Sequence, residues 1–356
     1  MKLIKLSLAM IAKDSESTIG KSLQSVKQYV DEMVVVDTGS VDGTARVAKE
    51  MGADVFTYAW KGDFSDARNC ALSKASGDYC LVLDADEWIE QMDLAQTIKC
   101  LESRSVIGQI QIRNYFDDAG EMKVYKLFIS RIMPNGVYYT GRIHEQIASG
   151  LPRIQLPISA YHVGYYKTNK GERNIGLLKK ELASHQDDVY LHYQIAREYR
   201  LIKEYLLAMH HYEAAFSRMS RDEVYYADFI VGWLYTAIQT QAWELALRIF
   251  AQEQNFLGDC PDFWFVYGQF CMQYAGIEQR YFGDIERAYL QCLTIGETSR
   301  YGSVEGTGSF LAMYNLGVFY EVTGQQEKSI VFYGQAAALD FQPAQQRLFV
   351  LKAGGE

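Results

Sequence analysis

The sequence lacks the excess of basic residues with which nucleic-acid-binding proteins contact phosphates. It holds 35 lysines and arginines against 44 aspartates and glutamates, which gives a formal net charge of -9. A nucleic-acid partner is therefore not expected, because binding to a phosphate backbone needs a basic face. A nucleotide ligand is compatible with this charge, since one bound cation can supply local positive charge.

Signals for disulfides, zinc sites and membrane spans are also missing. There is no C-x-x-C pair, and the apolar runs fall short of the roughly 18 residues of a membrane helix. Residues 1–12 do not predict a signal peptide, because Lys5 splits the apolar run and no A-x-A site follows. We expect a cytoplasmic protein without stable membrane insertion, in which the cysteines are buried thiols. They are Cys70, Cys80, Cys100, Cys260, Cys271 and Cys292.

The length of 356 residues favours two domains, and 49% hydrophobic with 22% charged residues is an ordinary globular balance. Short apolar runs predict strands at residues 3–12, 33–37, 54–58 and 79–83. Amphipathic segments between them predict helices at residues 15–29, 42–51 and 64–75, with Asp42 capping the second. This alternation is typical of a largely parallel sheet covered by helices, in which ligands bind beyond the carboxyl ends of the strands. Asp37 and Asp84 both lie at predicted strand ends.

The second half of the chain has a different pattern. From about residue 173 only helices are predicted, and residues 191–216 align without gaps on residues 312–337. Both segments carry the small and aromatic positions of a tetratricopeptide repeat, whose period is about 34 residues. Residues 229–250 and 263–293 are looser copies, the latter with an insertion. We predict an α/β domain in residues 1–170 and a tetratricopeptide-like domain in residues 171–356, with plain helical hairpins as the alternative.

The strongest signal for a functional site is LVLDADE, residues 81–87. Three acids directly after a buried strand are costly unless a cation binds there. A D-x-D of this kind can supply oxygen ligands to Mg²⁺ or Mn²⁺, and the ion can then hold a diphosphate. The alternative is a solvated turn in which Asp86 caps a helix beginning at Glu87 or Trp88.

Other candidate residues each have a structural alternative. Asp37 can accept a hydrogen bond from a base or ribose, or it can form a turn. Arg68 can contact phosphate or a buried acid, or it can be a surface residue paired with Asp63 or Asp66. His162 lies in an apolar strand and is either a core residue or a further metal ligand.

Several motifs together resemble a known family. They are VDEMVVVDTGSVDGT (residues 30–44), W-x3-F-S-x-A-R-N (60–69), LVLDADE, GRIHEQI (141–147) and HVGY (162–165). The chain resembles the inverting family 2 glycosyltransferases of the GT-A fold, in the branch that includes bacterial peptide S- and O-glycosyltransferases. The tetratricopeptide tail fits the same branch, so the resemblance covers nearly the whole chain.

The resemblance implies a role for each matching residue. Asp37 would contact uracil, Arg68 the nucleotide or diphosphate, and Asp84 the ribose or nucleotide. Asp86 would bind the metal, with His162 as a further metal or diphosphate ligand.

The resemblance also implies candidates for the catalytic base and for the rest of the nucleotide pocket. Glu145 is the first candidate for the general base and Glu87 the second. Lys13 belongs to the nucleotide pocket. Asp14 and Val41, which flank that pocket, depart from the family's more frequent Asn and Thr.

The implied activity is metal-dependent transfer of a hexose from a UDP-sugar such as UDP-glucose to a hydroxyl or thiol, on a peptide or protein. A glycan-precursor acceptor and an inactive scaffold remain alternatives, and the repeats could instead form a homodimer. A nucleotidyltransferase is disfavoured, because residues 10–15 (MIAKDS) lack the glycine-rich loop that would follow its first strand.

Overall fold

The computed structural model describes residues 4–102, 105–118, 121–163 and 171–353. The chain forms two compact units, Met1–Gln186 and Asp187–Glu356. The division predicted between residues 170 and 171 stays a prediction. Gly164 and Tyr165 of the HVGY motif lie outside the described residues. All six cysteines are free thiols, and no helix in the described ranges is long and apolar enough to cross a membrane.

The first unit is built on a mixed sheet. The strands of this unit are β1 (Leu6–Ala12), β2 (Glu32–Asp37), β3 (Asp54–Thr57), β4 (Tyr79–Val82), β5 (Glu87–Met92), β6 (Ile107–Asp118), β7 (Glu121–Pro134), β8 (Tyr139–Thr140), β9 (Gln146–Ile147) and β10 (Arg153–His162). The sheet has the order β3-β2-β1-β4-β7-β6-β10-β5. Strands β1 to β4 are mutually parallel, as predicted, whereas β7 runs antiparallel to β4 and β6, and β5 antiparallel to β10. The helices are α1 (Glu16–Val26), α2 (Thr44–Glu50), α3 (Phe64–Lys74), α4 (Leu94–Glu102) and α5 (Gly171–Leu182).

Both faces of this sheet are covered by apolar side chains, which explains the uninterrupted Val34-Val35-Val36 run in β2. Val35 packs with the α1 side chains Ile19 and Leu23 on one face. Val34 and Val36 pack with α3 side chains on the other. The alternation of a strand therefore buries successive residues in two different layers.

The alternative interpretation of Asp86 as a helix cap is wrong. No helix begins at Glu87 or Trp88, because residues 87–92 form β5, which pairs antiparallel with β10. Glu87 lies opposite His162 in that pairing. Asp86 therefore does not cap a helix, and the turn after β4 leads back into the sheet.

The second unit consists of helical hairpins that match the predicted repeats. The packed pairs are α6 with α7, α8 with α9, α10 with α11, and α12 with α13. The elements are α6 (Val189–Leu201), α7 (Tyr205–Phe216), α8 (Tyr226–Gln239), α9 (Trp243–Glu253), α10 (Pro261–Tyr274), α11 (Phe282–Ile295), β11 (Ser303–Val304), α12 (Phe310–Val322), α13 (Gln326–Ala337) and α14 (Gln342–Ala353). A short 3₁₀ turn, Gln279–Tyr281, accounts for the insertion predicted in the third copy.

The small positions of the repeats allow close packing, which makes Gly317→Ala a test of this unit. A Cβ at Gly317 would lie 2.6 Å from a ring carbon of Tyr333, which is itself fully buried. We expect the substitution to lower the free energy of unfolding by about 1–3 kcal/mol in urea denaturation, since overpacking displaces a core ring. Gly334→Ala in α13 is the matched control, because its Cβ would meet nothing within 4 Å. Equal stability of the two variants would contradict the packing described.

Candidate active site

Asp37 closes β2 at the carboxyl end of the sheet, beside Ala12 of β1. Its Oδ1 accepts hydrogen bonds from the backbone N–H groups of Gly39 (2.8 Å) and Ser40 (2.7 Å). Asp37 is thus a turn-forming residue, and the turn also orients its carboxylate. Within the described ranges Oδ2 has no protein donor, so this oxygen can accept a hydrogen bond from a ligand.

The loop after β1 is tied to the loop after β2 through the two positions that depart from the family pattern. Asp14 Oδ1 accepts from the Val41 N–H at 2.8 Å, and the Asp14 N–H donates to Ser40 Oγ at 3.0 Å. Asp14 has a positive φ of 46°, a conformation in which Asn and Asp are enriched. Lys13 precedes it and is exposed at the end of β1.

The start of α3 is held against residues 139–145, although 70 to 77 residues separate the contacting positions in sequence. Asn69 binds Tyr139 twice, donating from Nδ2 to its carbonyl (2.9 Å) and accepting its N–H at Oδ1 (2.8 Å). The Phe64 N–H donates to the Arg142 carbonyl at 2.8 Å. These backbone contacts bring Glu145 next to Arg68.

Arg68 and Arg131 form a buried charge cluster with three carboxylates. Arg68 pairs with Asp84 Oδ1 at 2.6 Å and, through Nε, with Glu145 Oε1. Arg131 pairs with Asp84 Oδ2 at 3.1 Å and with Glu87 Oε1 at 2.7 Å. The surface alternative for Arg68 is therefore wrong.

Asp63 and Asp66, the two acids considered as surface partners of Arg68, have other partners. Asp66 pairs with Lys61 at 2.9 Å, and Asp63 caps α3 through the Asp66 N–H. Arg68 is thus available to the acids at the carboxyl end of the sheet.

Burial and ion pairing act in opposite directions on this cluster. Burial would raise the pKa of Asp84, but the guanidinium groups of Arg68 and Arg131 hold it well below its usual range. Burial raises the pKa of Glu87, and Arg131 offsets this only in part. Burial would lower the pKa of Arg68, yet the carboxylates of Asp84 and Glu145 keep it above its ordinary value. Arg131 behaves in the same way, with Glu87 as its main partner.

Glu87 is only 1% exposed, and both of its carboxylate oxygens have protein donors. Oε2 accepts from the Asp84 N–H at 3.0 Å, and Oε1 accepts from Arg131. The Glu87 N–H in turn donates to the Asp84 carbonyl at 3.0 Å. These bonds close the Asp84–Glu87 turn, and they leave Glu87 less accessible than Glu145, whose side chain is 11% exposed.

Asp86 and His162 face each other beside this cluster. His162 Nε2 lies 3.6 Å from Asp86 Oδ1, and its Nδ1 lies 2.7 Å from Asn114 Oδ1. Burial would lower the pKa of His162, but the carboxylates of Asp86, Glu87 and Asp84, which stabilise its charged imidazolium form, raise it above its ordinary value. In the part of the chain that the structure describes, no group of three or more His, Cys, Asp and Glu side chains is arranged to hold a metal.

Arg131 and Asn114 lie at the site but are not among the residues predicted from the sequence. Arg131 was nevertheless detectable, because it is a lone cation in the apolar run LFISRIM of β7. Asn114 lies in the polar segment of β6 and has no such signal.

Residues 7–163 match the family model described as Glycosyl transferase family 2. The match confirms the predicted family and enzyme class for this part of the chain. The predicted fold class is confirmed as well, a GT-A α/β domain followed by a tetratricopeptide-like helical domain.

Three relatives cover different shares of the chain. A TPR repeat-containing protein of Synechococcus elongatus is 33% identical over 205 residues, 52% of this chain and 50% of that protein. The prophage-derived glycosyltransferase SunS of Bacillus subtilis is 27% identical over 213 residues, 55% of this chain and 50% of that protein. An uncharacterized glycosyltransferase of Rickettsia typhi is 38% identical over 87 residues, 24% of this chain and 30% of that protein. The chain thus spans about half the length, or less, of these relatives.

Two solved structures resemble parts of the chain. Glucosyl-3-phosphoglycerate synthase from Mycobacterium tuberculosis, in complex with Mn²⁺, UDP and glucosyl-3-phosphoglycerate, is 21% identical, with a TM-score of 0.26 and coverage of 32% of this chain and 44% of that one. YrrB, described as a TPR protein with an unusual peptide-binding site, is 18% identical, with a TM-score of 0.38. The match covers 52% of this chain and 84% of YrrB.

Proposed function

We propose that the family 2 glycosyltransferase domain of residues 7–163 moves a hexose from a UDP-sugar, with inversion, to a hydroxyl or thiol of a peptide or protein. The observation that carries the proposal is the facing pair of Asp86 and His162 beside the buried Arg68–Asp84–Arg131 cluster. This pair lies at the carboxyl end of the parallel strands, where ligands bind in sheets of this type.

In this proposal Asp37 and Arg68 bind the donor nucleotide. Asp37 offers Oδ2, which lacks a protein donor among the described residues. Arg68 offers NH1, a buried donor that has no acceptor in the described part of the chain. A buried donor of this kind is costly to leave unsatisfied, so a phosphate or ribose oxygen is a suitable partner. Asp84 and Lys13 complete the nucleotide pocket.

The residues present fit a divalent cation. Asp86 supplies a carboxylate oxygen and His162 a ring nitrogen, and both side chains are partly buried. Mn²⁺ accepts this mixture of ligands, whereas Mg²⁺ prefers oxygen and would rely more on donor phosphates. When bound there, the ion would neutralise charge on the leaving diphosphate.

Glu145 is the proposed general base. The acceptor oxygen or sulfur bonds to the anomeric carbon while the bond from that carbon to the diphosphate oxygen breaks. The acceptor proton passes to the Glu145 carboxylate, and UDP leaves. Arg68 beside Glu145 orients this carboxylate through Nε.

The helical unit is the proposed acceptor-binding part. Residues 187–356 hold 21 acidic and 12 basic residues, so this unit carries the whole net negative charge of the chain. Helical repeats commonly bind peptides along one face, and the net negative charge of this unit favours a basic peptide. A glycan-precursor acceptor, a homodimer formed by the repeats and an inactive scaffold are the alternatives.

The fragment Met1–Gln186 tests this assignment when it is compared with the full chain. Both are incubated with UDP- and GDP-sugars in Mn²⁺, and UDP release and the mass of added basic peptides are measured. We expect both to hydrolyse a UDP-sugar slowly, but only the full chain to glycosylate a peptide. A thermal shift of the fragment by UDP plus Mn²⁺ verifies that it is folded. Equal peptide transfer by fragment and full chain would rule out the helical unit as the acceptor site, and failure of both to bind UDP would rule out the donor assignment.

A further inference from the structure

His162 has a polar neighbour at each of its ring nitrogens. Nδ1 lies 2.7 Å from Asn114 Oδ1, and Nε2 lies 3.6 Å from Asp86 Oδ1. A neutral imidazole has one N–H donor and one lone-pair acceptor. The partner of one nitrogen therefore decides what the other nitrogen presents.

The pairing of the strands places His162 between Asn114 and Glu87. His162 of β10 lies opposite Asn114 of β6 on one side and opposite Glu87 of β5 on the other. Paired residues of neighbouring strands point to the same face of a sheet. The contact between Asn114 and His162 is therefore set by the backbone, and not by a mobile loop.

The amide of Asn114 is oriented by a second contact. Its Nδ2 donates to the carbonyl of Tyr125, the residue opposite it in β7, at 3.4 Å. With the nitrogen directed to Tyr125, the oxygen must face His162, as it does. A carbonyl oxygen only accepts hydrogen bonds, so Nδ1 of His162 must carry the proton.

We propose that Asn114 is a positioning residue that keeps neutral His162 in the Nδ1–H tautomer, with the Nε2 lone pair facing Asp86. The value of this arrangement for cation binding rests on the proposed function. Two electron-pair donors, Asp86 Oδ1 and His162 Nε2, then face each other before any cation arrives. Metal-bound histidines usually donate their other ring N–H to such an outer partner.

Removing the Asn114 acceptor should reverse the tautomer. In Asn114→Leu the amide oxygen facing Nδ1 is gone while Asp86 Oδ1 remains 3.6 Å from Nε2, so we expect the proton to move to Nε2. We expect Asn114→Asp to keep the Nδ1–H tautomer, because a carboxylate oxygen also accepts. Nitrogen-15 NMR of the metal-free full chain at alkaline pH reports which ring nitrogen is protonated, and the signal missing in His162→Gln identifies the residue.

Mn²⁺ affinity, measured by electron paramagnetic resonance without any sugar donor, is the second readout. We expect Asn114→Leu to bind Mn²⁺ about 10–100-fold more weakly than the wild type, and Asn114→Asp to restore binding. Asn255→Leu, at an exposed position of the helical unit, is the matched control and should change neither readout. Thermal unfolding of each variant verifies the fold.

The outcomes separate this inference from the proposed function. A proton on Nε2 in the wild type, or unchanged tautomer and Mn²⁺ affinity in Asn114→Leu, would overturn the role of Asn114. A wild type that shows the Nδ1–H tautomer and loses it in Asn114→Leu supports that role. If that same protein bound no Mn²⁺, the metal assignment of the proposed function would fail instead.

Discussion

Replacing Asp86 by alanine is expected to abolish both sugar transfer and donor hydrolysis while the protein stays folded. In the Asp84–Glu87 turn, Asp84 and Glu87 pair with Arg68 and Arg131, whereas Asp86 Oδ1 lies 3.6 Å from His162 Nε2. A metal ion contributes several kcal/mol to stabilising a charged transition state, which corresponds to a loss of about 10³-fold or more in turnover. UDP release with a UDP-sugar and Mn²⁺ measures the effect.

The fold should survive because the buried cluster does not include Asp86. Asp84 and Glu87 keep their contacts with Arg68 and Arg131 in the variant. Asp54→Ala, at an exposed position of β3, is the matched control and should retain activity. Turnover near the wild-type rate in Asp86→Ala, with EDTA present, would show that no metal at this position takes part.

Sequence reasoning could predict the elements that local patterns determine. The parallel strands β1 to β4 follow from short apolar runs, and the acids at their ends follow from the chain direction. The hairpins of the second unit follow from the gap-free match of residues 191–216 and 312–337. These features depend on residues close together in sequence, or on repetition.

The missed features depend on sheet order. Arg131 and Asn114 lie in β7 and β6, which join the sheet beside β4 and β10 by long-range pairing. No short motif reports such neighbours. The strand at residues 87–92, where a helix was the alternative, has the same cause, since this segment pairs with β10.

The two base candidates should differ in what their substitution damages. Glu145→Gln keeps an oxygen that can accept from Arg68 Nε, so the contact can persist while the basic group is lost. We expect turnover to fall by about 10²–10⁴-fold, the usual contribution of a positioned base, with UDP affinity unchanged. Single-turnover transfer and UDP titration calorimetry measure these two quantities separately.

Glu87→Gln is the contrasting variant, because both oxygens of Glu87 already have donors and its side chain is buried. The amide of glutamine would turn an N–H group toward Arg131 or toward the Asp84 N–H, so that two donors face each other. It also removes the negative charge closest to Arg131. Breaking a buried ion pair typically costs about 3–5 kcal/mol, so we expect the main loss in the free energy of unfolding. Turnover per folded molecule should fall less than in Glu145→Gln. If Glu87→Gln is as stable as the wild type yet inactive, and Glu145→Gln remains active, Glu87 is the base and its bonds to Arg131 and Asp84 must open during the reaction.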